Sequence, residues 1–198
     1  MNHLERLRGL KNRYFVLRHG ESMANILGII ISNPHEGIEK FGLSEKGKIQ
    51  VREAAIRSKV LGNKTIIYSS DFLRTKETAE IFKEVLKLDT LILDERLRER
   101  NFGQFDNKED KSYEKVWCKD KFDPNCKEEG VESAQEVLSR TTELVLEIER
   151  TYSGEKILLV SHGDALQILQ TGFLKICPSK HRAVPHLNTA EVRELKFT

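Results

Sequence analysis

Four short polar segments hold the residue types that could do chemistry. They are Arg18-His19-Gly20-Glu21, Ser69-Ser70-Asp71 with Arg74 close behind, Glu99, and Ser161-His162-Gly163. Two guanidinium forks can hold the equatorial oxygens of a phosphoryl group, and neither can act as a base at neutral pH. A neutral imidazole is a competent nucleophile toward phosphorus. A carboxylic acid can protonate a departing alkoxide and later take a proton from water. A glycine that opens a helix, such as Gly163, offers backbone N–H groups to an anion. Each piece alone is weak evidence: Arg18-His19 reads equally as a charged strand end, and His162 as a capping or core histidine. Together they describe phosphoryl transfer through a phosphohistidine. Arginine supplies the positive charge, so the chemistry requires no metal, and His19 and His162 as metal ligands would be opposed by both arginines.

These segments need a common edge, and the surrounding patterns provide one. Arg13 to Leu17, Thr65 to Tyr68, Leu91 to Leu93 and Lys156 to Val160 are short apolar runs that read as buried strands. Between them lie helical patterns. One runs from about 45 to 61, with Ser44 as N-cap and Gly62 as stop. A second is capped by Asp71, and a third opens on the capping box Ser133-Ala134-Gln135-Glu136. A fourth begins at Gly163, and Ala190 to Phe197 alternates like an edge strand. Strands alternating with crossover helices predict an α/β fold with a mostly parallel central sheet and helices on both faces. Ligands in such sheets sit beyond the carboxyl ends of the strands, where all four polar segments fall.

The chain of 198 residues is read as one domain, 1–198, with an irregular, partly helical insertion at about 104–130. Hydrophobic types at 38% and only 4 Pro exclude a disordered chain, and a formal charge of +2 argues against a nucleic-acid partner. No apolar run reaches the ~20 residues of a membrane span. The 3 cysteines, Cys118, Cys126 and Cys177, form no C-x-x-C pair and read as reduced thiols. Cytoplasmic location is the expectation.

The ordered motifs resemble the histidine phosphatase superfamily, to which the cofactor-dependent phosphoglycerate mutases belong. Arg18-His19-Gly20-Glu21-Ser22-Met23-Ala24-Asn25 is similar to the family's first signature. Leu43 to Gly47 with Gln50, Ser69 to Ala79 with Arg74 in register, and Leu97 to Gly103 resemble its next three blocks. Gly130 to Ser133 with Arg140, and then Ser161-His162-Gly163, complete the series. The resemblance implies a phosphoglycerate mutase-like three-layer sandwich. It implies His19 as the nucleophile, Glu99 as proton donor, and Arg18, Arg74 and His162 as the rest of the phosphate pocket. Asn25 and Gly163 would bind the same group, and Ser22 would add a hydroxyl contact. No cofactor and no metal are expected. The expected activity is that of a phosphomonoester hydrolase of histidine acid phosphatase type, acting on a small phosphorylated metabolite or a phosphoprotein. The rival readings are a mutase-type phosphotransferase and a non-catalytic phospho-ligand binding module.

Several positions depart from the family pattern. Asn107 stands where glycine is common, and Asn is the residue that best tolerates a left-handed backbone. Asp164 follows Ser-His-Gly and would repel a phosphate unless it points away or caps the helix that begins there. Arg98 or Arg100 could contact a second anionic group. His181 and His186 flank Pro185 and read as loop packing. Lys108, Lys111 and Lys115 read as a solvated face.

Overall fold

The computed structural model describes residues 1–198. Its strands are β1 (Arg13–Arg18), β2 (Ile66–Ser69), β3 (Leu91–Leu93), β4 (Lys156–Ser161) and β5 (Val192–Glu194). They lie side by side in the order β3-β2-β4-β1-β5, all parallel except β5, which pairs antiparallel with β1. Seven helices connect or flank them: α1 (Met23–Leu27), α2 (Pro34–Gly37), α3 (Glu45–Arg57), α4 (Leu73–Leu86), α5 (Tyr113–Asp120), α6 (Ala134–Thr151) and α7 (Gly163–Phe173).

The central strands are buried on both faces, and the two-residue period sends alternate side chains into different cores. Tyr14, Val16, Tyr68, Ile157 and Leu159 meet Leu144, Val145 and Ile148 of α6 and Leu166, Leu169 and Phe173 of α7. Phe15, Leu17, Ile67, Leu158 and Val160 meet Val51, Ala54 and Ala55 of α3 and Ala79 and Phe82 of α4. The result is the expected three-layer α/β arrangement. Because β1 and β4 are parallel neighbours with Arg18 opposite Ser161, their carboxyl ends deliver His19 and His162 to the same place. The backbone N–H of His19 donates to the Ser161 carbonyl at 3.1 Å.

Some boundaries differ from the pattern reading. The helix expected to reach 61 stops at Arg57, because Ser58 leaves the helical conformation and its hydroxyl donates to the Ala54 carbonyl at 2.7 Å. Leu61 can then turn into the core. Asp71 does not cap α4. The N-cap is Phe72, without a side-chain bond, because the Asp71 carboxylate is held by the Arg98 fork at 2.8 and 2.6 Å. The last strand is confined to Val192–Glu194, since Ala190 takes a left-handed turn with φ 58°. Segment 101–130 is irregular apart from α5 and three 3₁₀ turns, and packs through a small core of Ile30, Phe102, Val116 and Val131. Asn107 adopts φ 60°, the left-handed conformation expected of it. No helix is long and apolar enough to cross a membrane.

Candidate active site

Strand ends and helix starts converge on two imidazoles. The His19 and His162 rings meet edge to face with centroids 5.3 Å apart, and both are buried. Arg74, in the first turn of α4, lies between them. Its Nε donates to His19 Nε2 at 3.2 Å and to His162 Nδ1 at 3.1 Å. The remaining ring nitrogens must then carry the protons, an assignment that follows from the hydrogen-bond network. His19 Nδ1–H donates to the Gly20 carbonyl at 2.7 Å, and His162 Nε2–H donates to Ser70 Oγ at 3.0 Å. Burial, then the Arg74 charge, holds both histidines well below their ordinary value, so both are neutral. His19 therefore presents the lone pair of Nε2 toward the arginines.

Arg18 is fixed by Nη1, which donates to His186 Nε2 at 2.7 Å and to the Leu187 carbonyl at 2.9 Å. The guanidinium packs against the first residue of α7: a Cβ on Gly163 would lie in van der Waals contact with it, 3.4 Å from the guanidinium carbon. Arg18 Nε and Arg74 Nη1 are buried and find no acceptor in the protein. Two unmatched guanidinium donors beside a neutral imidazole are a poor arrangement for an empty core and a good one for an oxyanion.

Glu99 is buried, and its Oε1 accepts two backbone N–H bonds, from Arg100 at 2.9 Å and from Ala165 at 3.1 Å. It thereby satisfies one of the free donors at the start of α7. With Oε1 so occupied, Oε2 is the natural place for a proton. Burial and the nearby Asp164 charge raise its pKa, against the opposing pull of Arg74 and the two N–H bonds. Arg140 steadies the segment, donating to the carbonyls of Arg96, Arg98 and Glu99 at 2.6, 2.9 and 3.3 Å.

Two expectations change. Ser22 makes no free hydroxyl contact: it is fully buried as the N-cap of α1, and its Oγ donates to Asn25 Oδ1 at 2.9 Å. That capping box uses the Asn25 oxygen and leaves its amide nitrogen as donor at the cavity wall. Neither Arg98 nor Arg100 is available for a second anion, since Arg98 pairs with Asp71, and Arg100, wholly buried, pairs with Asp120 and Asp164. Asp164 points its oxygens to Trp117 and Arg100 rather than to the phosphate arginines. Sequence reasoning missed His186 as a partner of Arg18. Its only signal is that it precedes the turn returning the chain to β1.

Arg18, Asn25, Glu99, Tyr113, Trp117 and Gly163 are among the residues lining a cavity of about 340 Å³. A wider cleft of about 900 Å³ also touches Glu99. Its cations are already paired: Arg96 with Asp94 and Glu147, Arg98 with Asp71, Lys127 with Glu136, and Arg140 with Glu132. The smaller cavity carries the unmatched Arg18 and borders Glu99, while the buried His19, Arg74 and His162 do not line it.

The family model for the histidine phosphatase superfamily (branch 1) matches residues 14–198. The chain is 33% identical over 167 residues to the probable phosphoglycerate mutase GpmB of Escherichia coli, covering 81% of this chain and 74% of that protein. Among solved structures, a mycobacterial glucosyl-3-phosphoglycerate phosphatase complexed with VO3 superposes with a TM-score of 0.77 at 25% identity, over 92% of this chain and 91% of that one. A phosphoserine phosphatase from Entamoeba histolytica shares the fold, with a TM-score of 0.75 at 23% identity over 92% and 89%. A family match running from β1 to the last residue makes this chain a member of the histidine phosphatase superfamily.

Proposed function

We propose that the protein is a phosphomonoester hydrolase working through a phosphohistidine on His19, with Glu99 as proton donor. The observation that carries this reading is the shared Arg74 Nε, which binds both imidazoles while Arg74 Nη1 and Arg18 Nε stay unmatched. In the first step His19 Nε2 forms a bond to phosphorus and the ester P–O bond breaks. The proton on Glu99 Oε2 passes to the leaving oxygen, and the Gly20 carbonyl steadies the positive charge that grows on the His19 ring. In the second step water attacks phosphorus, the P–N bond breaks, and the Glu99 carboxylate takes the water proton. Arg18 and Arg74 stabilise charge on the phosphoryl oxygens throughout, His162 positions Arg74 through its Nδ1, and Asn25 Nδ2 and the α7 N-terminus at Gly163 add neutral donors. Arg74 shares one N–H between two acceptors, so releasing His19 for attack costs little.

A second reading, phosphoryl transfer to another hydroxyl as in a mutase, is favoured by the 33% identity to a probable phosphoglycerate mutase. Both share the His19 chemistry and differ in the final acceptor. The deciding experiment supplies a panel of small phosphorylated metabolites, sugar phosphates, phosphoglycerates and phosphoamino acids, and records inorganic phosphate release and phosphoryl transfer separately. Hydrolysis predicts phosphate release without a second phosphoester, at a rate unchanged by excess EDTA because guanidinium groups supply the charge. No three His, Cys, Asp or Glu side chains are grouped to hold an ion. Isomerised phosphoester without phosphate release would establish the mutase. Loss of activity on chelation would refute the metal-free scheme.

A further inference from the structure

We propose that Asp164 is a positioning residue that keeps the proton on Glu99. The proposal rests on reading Glu99 as the proton donor. Asp164 occupies the first turn of α7 and is almost wholly buried. Trp117 Nε1–H of α5 donates to its Oδ1 at 2.9 Å, and Arg100 Nη1 donates to its Oδ2 at 3.3 Å. Arg100 is also locked to Asp120 by two bonds of 2.5 and 2.7 Å. Both oxygens of the carboxyl group are thus fixed by buried donors of the fold.

Stability is a weak reason for such a cluster, because apolar side chains of similar volume often serve as well or better than buried ion pairs. Its location supplies a stronger one. The two residues that bear the cluster, Arg100 and Asp164, flank the two N–H donors that grip Glu99: Arg100's own N–H and that of Ala165. Two carboxylates held at one helix start resist ionising together.

The other groups facing this corner come from every neighbouring element. Arg18 and Arg74 approach from the ends of β1 and the start of α4, and Arg140 of α6 holds the Glu99 carbonyl. Tyr113 and Asp120 come from α5, and His186 borders the cavity. His181 Nε2 stands 3.7 Å from Asp164 and 3.8 Å from Asp120. The arginines and backbone N–H groups favour a Glu99 carboxylate, and Asp164 with burial opposes them. Neutralising Asp164 leaves the arginines unopposed except by burial, and Glu99 then loses its proton at lower pH. The helix α5, whose Tyr113 and Trp117 wall the cavity, thereby also holds the residue that tunes the acid.

The test compares wild type, D164N and D164S. The amide of D164N meets a donor on Trp117 or Arg100, so D164S, which leaves space for water, guards against a misfolded variant; circular dichroism checks both. Phosphorylation of His19 is timed by rapid quench between about pH 5 and 9. The substrates are glycerol phosphate, a poor leaving group, and p-nitrophenyl phosphate, a good one. With glycerol phosphate the alkaline limb should move down by about one pH unit or more, a loss near tenfold above it that recovers at lower pH. With p-nitrophenyl phosphate the burst should hardly change. A limb left in place, or an equal loss for both substrates at every pH, would overturn the proposal. E99Q separates the two levels of the argument. If E99Q slows both substrates alike, Glu99 is not the donor and both readings fall. If E99Q spares p-nitrophenyl phosphate while D164N and D164S leave the limb unmoved, only the role of Asp164 falls.

Discussion

Glu99 has two oxygens with unequal duties: Oε1 is pinned by the N–H groups of Arg100 and Ala165, and Oε2 is left to carry the proton. E99Q keeps the pinned oxygen but cannot cycle a proton. With an alkyl phosphate it should slow phosphorylation of His19 by about 10²–10⁴-fold, the usual span of general acid catalysis. With p-nitrophenyl phosphate it should give a nitrophenol burst followed by slow turnover, because water attack still needs a base. Single-turnover kinetics with both substrates checks this, and equal losses would leave Glu99 a purely electrostatic residue. At this scale much of the site could be read from sequence, since His19, Arg74, Glu99 and His162 each follow a strand end. What stayed hidden depended on side-chain direction. Ser22 and Asn25 sit three residues apart, a spacing that suits either two ligands of an anion or one capping box, and only the structure distinguishes them.

Helix α3 meets the loop after β1 at two glycines. A Cβ on Gly20 would stand 2.7 Å from the Gly47 carbonyl oxygen and from Val51 Cγ2, and one on Gly47 would overlap the Glu21 carbonyl. Both obstacles are the backbone or core that carries His19, so neither can give way cheaply. G47A should therefore destabilise the protein by about 1–3 kcal/mol, the usual cost of overpacking. It should also lower kcat by displacing the 19–21 loop, even where the variant remains folded. Urea unfolding and steady-state kinetics check the two effects; wild-type values for both would mean that the loop is looser than this packing indicates. Helix existence was legible because α6 announces itself with Ser133 and Glu136, and both sides of that capping box form. Helix ends were less legible. Asp71 has the right type to cap α4, but a guanidinium fork 27 residues away competes for it and wins. Competition of that kind is tertiary and leaves no local mark in a sequence.

Across the whole molecule, the buried histidines link activity to acid stability. His19 and His162 have pKa values depressed by burial and by Arg74, so their contribution is present above about pH 6.5 and is lost as pH falls toward the folded values. Each neutral buried histidine can remove up to about 1.4 kcal/mol per pH unit in that window. Glu99 has the opposite sign: its pKa is raised, so its contribution is complete below the ordinary carboxyl value of about 4.3 and is lost as pH rises through the folded value. Two histidines outweigh one carboxyl below neutrality. Stability measured by urea should fall from neutral pH toward pH 5.5, and H19A should make that fall shallower by up to about 1.4 kcal/mol per pH unit. An unchanged slope in H19A would mean that His19 is not held neutral by the fold. The central claim is that His19 itself takes the phosphoryl group, and rapid quenching tests it most directly. Wild-type protein mixed with a turned-over phosphoester and quenched in base should carry one acid-labile phosphoryl group, located on His19 by mass spectrometry and absent from H19A. A phosphoryl group on another residue, or H19A turning over like wild type, would contradict the account.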